Sequence, residues 1–116
     1  MVVRHFTDVP GTMVEEGAEG VKIRWVISQD DGAPNFAMRH FTISPAGHTP
    51  HHAHEWEHEV FILSGAGKAV GPDGETRLKT GTVVFVAPNE EHHFENDTDL
   101  PLAFLCLVPL PKCCCG

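Results

Sequence analysis

The chain lacks long hydrophobic runs and has few basic residues. Its longest apolar stretch, Leu100 to Leu110, is interrupted by Pro101 and Pro109 and falls short of the roughly 18 residues that a membrane span requires. Eight Lys and Arg residues stand against sixteen Asp and Glu residues, so the net charge is −8 with neutral histidine. This acidity argues against nucleic acid or a membrane surface as a partner.

The first residues also lack the apolar core of a signal peptide, because Arg4, His5 and Asp8 interrupt them. We therefore expect a cytoplasmic protein, in which the four cysteines stay reduced and form no disulfide framework. Three of these cysteines are consecutive, Cys113 to Cys115, and we expect residues 111–116 to form a flexible tail without an assigned role.

Helical periodicity, internal repeats and low-complexity segments are absent, and strand patterns dominate. Runs rich in Val, Ile, Phe and Leu predict strands at Val21 to Ser28, Phe36 to Ser44, His58 to Ser64, Thr82 to Val86 and Leu102 to Val108. Gly71 to Gly74 predicts the turn of a hairpin, and Ser44 to Gly47 is expected to end the second strand. These short strands and turns predict a single all-β domain, either a sandwich or a barrel.

The strand pattern divides the chain into three parts. Residues 1–20 are expected to form an irregular N-terminal arm, residues 21–110 the β domain, and the remaining residues the tail. An open strand edge invites pairing with another chain, so we expect the arm to contact a second subunit in a homodimer.

Nine histidines are many for a chain of 116 residues, and seven of them fall into two clusters. In an extended segment, His52 and His54 project to the same side. Antiparallel pairing can return His58 to that side, and His92 follows a turn later in the chain. Four neutral imidazoles suit a divalent transition metal, so the spacing predicts a metal site at these residues.

The other histidines are expected to have surface or packing roles. His51 and His93 have the opposite strand parity, His48 lies in the predicted turn, and His5 and His40 are isolated.

Around these histidines the chain resembles the cupin superfamily. The motif G-(X)5-H-X-H-(X)3-E-(X)6-G overlays Ala46 to Gly65, with His52 and His54 in its His positions and His58 in its Glu position. Ala46 stands where the motif has its first Gly.

The second cupin motif, G-(X)5-P-X-G-(X)2-H-(X)3-N, overlays Gly81 to Asn96. His92 occupies its His position, whereas Ala87 and Asn89 replace its Pro and second Gly. The resemblance implies a single-domain cupin β-barrel, a jelly-roll or double-stranded β-helix, similar to the four-histidine cupins that bind manganese. It thus implies one divalent metal per chain, with manganese expected first and iron, zinc, copper or nickel as alternatives.

A histidine in the Glu position changes the chemistry of such a site. Four imidazoles neutralise none of the metal's charge, so the ion should favour an anionic or electron-rich ligand. Glu59 is an alternative ligand, but His58 fits the spacing to Gly65, and Glu59 should face outward.

Strand parity also predicts the walls of a pocket. Phe94 shares a face with His92, Phe104 shares one with Cys106, and Arg39 is expected at the mouth, where it would orient an anionic substrate. Trp56 is expected either to shade the entrance or to contact a second subunit. Phe61 and Leu63 should lie on the opposite face of the sheet, under the arm or against that subunit.

The expected function is that of a metal-dependent oxidoreductase, dioxygenase-like or peroxide-using, which acts on a small organic molecule. Two alternatives stay open: an isomerase or lyase that uses the ion as a Lewis acid, and a non-enzymatic module that binds a small molecule. Because imidazoles must lose a proton to coordinate, metal loading should weaken as the pH falls through about 6.5.

Overall fold

The computed structural model describes residues 1–111. Nine strands make up most of it: β1 (Thr12–Val14), β2 (Glu19–Ile27), β3 (Phe36–His48), β4 (His58–Ser64), β5 (Ala66–Gly71), β6 (Gly74–Lys79), β7 (Val83–Val86), β8 (His93–Glu95) and β9 (Leu102–Pro109). Two short 3-10 turns, Phe6–Asp8 and Gln29–Asp31, are the helical elements of this part of the chain.

The strands form one curled antiparallel sheet in the order β6-β5-β8-β3-β9-β4-β7, and β2 joins β1 to β3. The all-β barrel expected from the sequence is therefore confirmed. The predicted hairpin is also confirmed, because β5 and β6 pair from Ala66↔Lys79 to Gly71↔Gly74 around a two-residue turn. Across residues 1–111, no helix reaches the length and hydropathy that crossing a lipid bilayer requires.

The core lies inside the curl and is built by strand alternation. On β9, the residues Leu102, Phe104, Cys106 and Val108 are buried, whereas the residues between them are only partly covered. A run of alternating buried residues on β4 meets this face, and Ile62 lies opposite Phe104 in the register of the two strands. The curled sheet thus encloses an apolar interior, and the predicted histidines lie at one end of it, beside an open cavity.

The prediction that Ser44 to Gly47 ends the second strand is wrong, as is the placement of His48 in a turn. Strand β3 continues to His48, which lies opposite Glu19 of β2 and Glu95 of β8. The chain bends within the strand, because Ala46 has a positive φ of 68° and the β2–β3 register shifts next to Glu19.

The N-terminal arm packs on its own chain. Phe6 stacks on His40 with ring centroids 4.3 Å apart, and the guanidinium carbon of Arg24 lies over the Phe6 ring, 5.7 Å from its centroid. Strand β1 pairs with β2, so part of the arm is regular and the β sheet begins before residue 21. Contact of the arm with a second subunit stays a prediction, and Cys113 to Cys115 of the predicted tail lie outside the described residues.

The outer face of β4 exposes apolar side chains. Phe61 is 47% exposed and Leu63 is 37% exposed, on the opposite side of the strand from His58. Leu63 borders a hollow that it shares with the arm residues Val3 and Phe6.

Candidate functional site

Four histidine rings gather at the open end of the barrel. His58 begins β4, His92 directly precedes β8, and His52 and His54 lie in the loop between β3 and β4. The ring centroid of His92 lies 5.0 Å from that of His52, 6.2 Å from that of His54 and 5.1 Å from that of His58. The four residues predicted from their spacing are thus close neighbours in space.

Backbone pairing holds His52 beside His92. The two residues exchange both backbone hydrogen bonds as an isolated antiparallel bridge, with N–O distances of 3.1 and 2.9 Å. The segment around His54 is a loop rather than the extended strand assumed from the sequence. Its direction is fixed by a backbone hydrogen bond from Asn89 to the carbonyl of His54 and by stacking of the imidazole on Trp56, with 4.6 Å between ring centroids.

His58 is only 5% exposed and contacts two groups of the barrel wall through Nδ1. Arg39 Nη2 lies 3.3 Å from this nitrogen, and Cys106 Sγ lies 3.5 Å from it. Arg39 Nη2 also donates to Cys106 Sγ at 3.0 Å. Glu59, the alternative ligand, is exposed on the other face of β4.

Burial favours the uncharged form of three of these imidazoles, those of His52, His54 and His58. It lowers the pKa of His52 to about 4, an effect reinforced by the neighbouring imidazoles and by Arg39. Burial also lowers the pKa of His58 to about 3, and the charge of Arg39 is the next cause. The pKa of His54 is lowered too, again chiefly by burial. At neutral pH these three rings therefore keep the unprotonated nitrogen that coordination requires.

The four histidines offer nitrogen donors that suit a transition metal, but they do not form a complete coordination sphere. In residues 1–111, no three His, Cys, Asp or Glu side chains already stand in a geometry that holds an ion. Within the described part of the chain, however, His58 Nε2 is buried without a hydrogen-bond partner, and His52 Nε2 faces His54 Nε2 at 3.2 Å. Such nitrogens gain a partner when a cation lies between them, so the residues fit a metal.

The backbone contact of His92 leaves its Nε2 free. His92 Nδ1 lies 2.9 Å from the carbonyl of Glu90, an arrangement that puts the ring proton on Nδ1. The Nδ1 of His58 faces one group that can only donate, Arg39, and one that can also accept, the sulfur of Cys106. These two contacts favour opposite tautomers of this ring.

The histidines line a cavity of about 360 Å³. All eight residues proposed from the sequence border it, since Arg39, Phe94, Phe104 and Cys106 lie on its wall together with the four histidines. Trp56 also lines the cavity, in agreement with a position at the entrance, and is 44% exposed.

Part of the cavity wall comes from the first strands and was not predicted from the sequence. Val14, Ile23 and Trp25 border the cavity, as do Thr49 and Pro50 of the loop that carries His52. The alternation of Val21, Ile23 and Trp25 along one face of β2 was a usable signal, because β2 pairs with the strand that carries Arg39.

The remaining histidines lie outside the cavity lining. His51 Nδ1 lies 2.6 Å from His93 Nδ1, and each ring contacts a carboxylate, Glu91 for His51 and Glu95 for His93. His51 and His93, which have the opposite strand parity to the four clustered histidines, therefore form a separate cluster on the surface.

Comparisons with known proteins agree with this architecture. A family model of the cupin domain matches residues 39–108. The structure of the polyketide cyclase RemF from Streptomyces resistomycificus is similar with a TM-score of 0.89 and 37% sequence identity, over 94% of this chain and 79% of that chain. A predicted oxalate decarboxylase from Thermotoga maritima is similar with a TM-score of 0.83 and 26% identity, over 96% of this chain and 100% of that chain.

Among characterised sequences, the 1-methylthio-D-xylulose 5-phosphate methylsulfurylase of Rhodospirillum rubrum is 31% identical over 61% of this chain. The match spans 46% of the length of that relative. Since the cupin model covers more than half of the sequence, the chain belongs to the cupin family.

Proposed function

We propose that this chain is a metal-dependent enzyme that binds a planar, largely apolar ketone and promotes proton transfer or ring closure next to its carbonyl group. The observation that carries the proposal is the position of the four imidazoles on the wall of an aromatic cavity. His52, His54, His58 and His92 would hold the ion, with manganese expected first. When bound, a divalent ion supplies a Lewis acid that stabilises negative charge on a carbonyl or enolate oxygen.

The walls of the cavity favour a flat substrate. Phe41 stacks on Phe104 with ring centroids 5.1 Å apart, and Phe94 lies 5.3 Å from the same ring. Trp25 and Trp56 add two further aromatic surfaces to the lining. The volume of about 360 Å³ lies in the range of small-molecule sites, and such walls bind an aromatic or conjugated ring system while they exclude water.

The similarity to a polyketide cyclase supports a reaction without net oxidation. In an aldol ring closure, a carbon next to one carbonyl loses a proton to a base and forms a bond to the carbon of another carbonyl. The new carbon–carbon bond closes the ring, the oxygen of the second carbonyl takes up a proton, and loss of water then forms a double bond without an oxidant. The cavity lining within residues 1–111 contains no Asp or Glu, and its four imidazoles are the proposed metal ligands, so water is the proton acceptor available there.

The oxidoreductase predicted from the sequence is the second candidate. It is favoured by the absence of carboxylates from the described lining, because an ion held by four neutral imidazoles would keep its full charge and attract reduced oxygen species or an enolate. None of the three similar proteins named above is called an oxidoreductase, so this function stays a prediction.

One experiment separates the candidates. The protein is loaded in turn with Mn(II), Fe(II) and Zn(II) and incubated in D2O with 2-acetylnaphthalene, whose methyl protons exchange slowly on their own. We expect metal-dependent deuterium incorporation by NMR, no oxygen uptake at an electrode, and loss of the exchange in His92→Ala. Oxygen uptake that matches substrate loss would establish the oxidoreductase. Binding without exchange or oxygen uptake would leave a non-enzymatic binding module.

A further inference from the structure

Within residues 1–111, the side chain of Arg39 differs from those of the other arginines in having no oxygen partner. The other three contact oxygen atoms, Arg4 on Asp31, Arg77 on Asp97 and Arg24 on the carbonyl of Val9. Among residues 1–111, the side-chain hydrogen bonds of Arg39 come from Nη2 alone and go to Cys106 and His58. Its Nε is buried without a partner, and Nη1 makes no hydrogen bond to the described chain. A guanidinium with unused donors at a cavity wall is suited to a planar anion.

The guanidinium is held in place by two aromatic rings. The central carbon of Arg39 lies 5.3 Å from the ring centroid of Trp25 and 5.0 Å from that of Phe41. These cation–π contacts, together with the hydrogen bond to Cys106, restrict the side chain before any ligand arrives. A group fixed in this way loses little conformational freedom on binding, so its charge contributes to affinity.

The cavity is a positive region in an acidic protein. The chain has a net charge of −8, yet the described lining of the cavity contains the Arg39 guanidinium and no carboxylate. The positive charge is therefore not neutralised by a side chain within the cavity. Low-dielectric aromatic walls strengthen its attraction for an anion relative to the same charge on the surface.

We propose that Arg39 anchors a carboxylate carried by an aromatic ligand, whose ring lies against the neighbouring aromatic walls. This inference deepens the proposed function and rests on it for the assignment of that ligand as the substrate. The binding step itself requires neither turnover nor a particular metal, so the two proposals can fail separately. Arg39 is thus a specificity-determining residue that selects acids over neutral molecules of the same shape.

The test is calorimetric titration of the full-length chain with 2-naphthoate and with 2-naphthamide, which have the same ring and differ in charge. Each titration is run on protein as purified and on protein loaded with Zn(II), with metal content measured on the same samples. We expect wild type to bind naphthoate roughly tenfold or more tightly than naphthamide, the range of a hydrogen bond to a charged group. Arg39→Gln should bring this ratio close to one and leave naphthamide binding nearly unchanged.

Two further variants control for charge and geometry. Arg77→Gln removes the same charge from an exposed arginine outside the cavity lining and should keep the preference for naphthoate. Arg39→Lys retains the positive charge but lacks the planar guanidinium, so it should give a ratio of naphthoate to naphthamide affinity between those of wild type and Arg39→Gln. If Arg39→Gln does not fold, the Nε–H resonance of Arg39 in wild type should shift with naphthoate and not with naphthamide. An unchanged ratio in Arg39→Gln, or an unshifted resonance in wild type, would overturn the proposal.

Discussion

His52 and His92 are tied to each other through their backbones, because each accepts the other's N–H in an isolated bridge. The bridge joins the loop after β3 to the segment before β8, which are far apart in the sequence. Side-chain substitutions at either residue leave these two hydrogen bonds in place. The contribution of the His52 and His92 imidazoles to metal binding can therefore be measured without breaking the backbone bridge that joins these two segments.

Single replacement of His52, His54, His58 or His92 by Ala should weaken metal binding by roughly tenfold or more, since each removes a nitrogen donor from the cluster. Binding is measured by titration with Zn(II) and Mn(II), with elemental analysis of protein purified without added metal. His51→Ala and His93→Ala are matched controls, because these rings lie next to the cluster in sequence and outside the cavity lining. Equal weakening in the controls, or unchanged metal content in His58→Ala, would contradict the assignment.

The metal-free protein should lose stability in mild acid. The pKa of His58 is about 3 in the folded chain, below the ordinary value of 6.5, so the unfolded chain takes up the proton first. The free energy of unfolding is therefore highest above pH 6.5 and falls below it, by roughly 1.4 kcal/mol per pH unit for a fully buried group of this kind. Urea unfolding at pH 7.5, 6.5 and 5.5 measures this slope.

His58→Gln should flatten that slope, because glutamine does not titrate. A slope identical to that of wild type would show that other groups cause the acid sensitivity.

The low pKa values of His52 and His58 also change the pH at which metal loading is expected to weaken. The ordinary histidine pKa predicts weakening near pH 6.5, whereas protons compete for these two rings only near pH 4 and below. Protonation of these rings during metal loading can be followed by NMR.

Cys106 should act as a positioning residue for His58. Burial raises the pKa of the Cys106 thiol, so the sulfur stays protonated, and at 3.5 Å it can accept from Nδ1 in the tautomer that carries the proton there. Cys106→Val removes this acceptor and should increase the fraction of the tautomer with the proton on Nε2. The nitrogen chemical shifts of labelled histidine report the tautomer directly, and Cys106→Ser, which keeps an acceptor, should resemble wild type. Identical shifts in Cys106→Val would exclude this role.

Ala46→Gly should stabilise the chain. Ala46 has a φ of 68°, a left-handed conformation that costs an L-residue about 1–2 kcal/mol. Glycine avoids this strain, but its more flexible unfolded chain lowers the free energy of unfolding by about 0.5–1 kcal/mol. The expected gain is about 0.5–1 kcal/mol in the free energy of unfolding. Ala103→Gly, within β9, is the control and should destabilise. A loss of stability in Ala46→Gly would show that the methyl group of Ala46 contributes packing that outweighs the strain.

Much of the fold and of the candidate site followed from local patterns. The alternation of β4 predicted His58 to Ser64, the bounds that the structure has, and spacing brought the four histidines together. Contacts between distant segments did not follow. The loop that carries His54 is shaped by Asn89, Phe6 reaches His40 through tertiary packing, and Ala46 adopts a conformation that alanine seldom takes. Patterns of two or three residues contain no information about such partners.

The two tryptophans of the chain, Trp25 and Trp56, both border the cavity, and the chain has no tyrosine. Its intrinsic ultraviolet emission therefore comes almost wholly from the mouth of the candidate site. A ligand or ion that occupies the cavity changes the surroundings of both fluorophores at once. Unlabelled protein can thus serve as its own optical sensor in a search for the natural substrate.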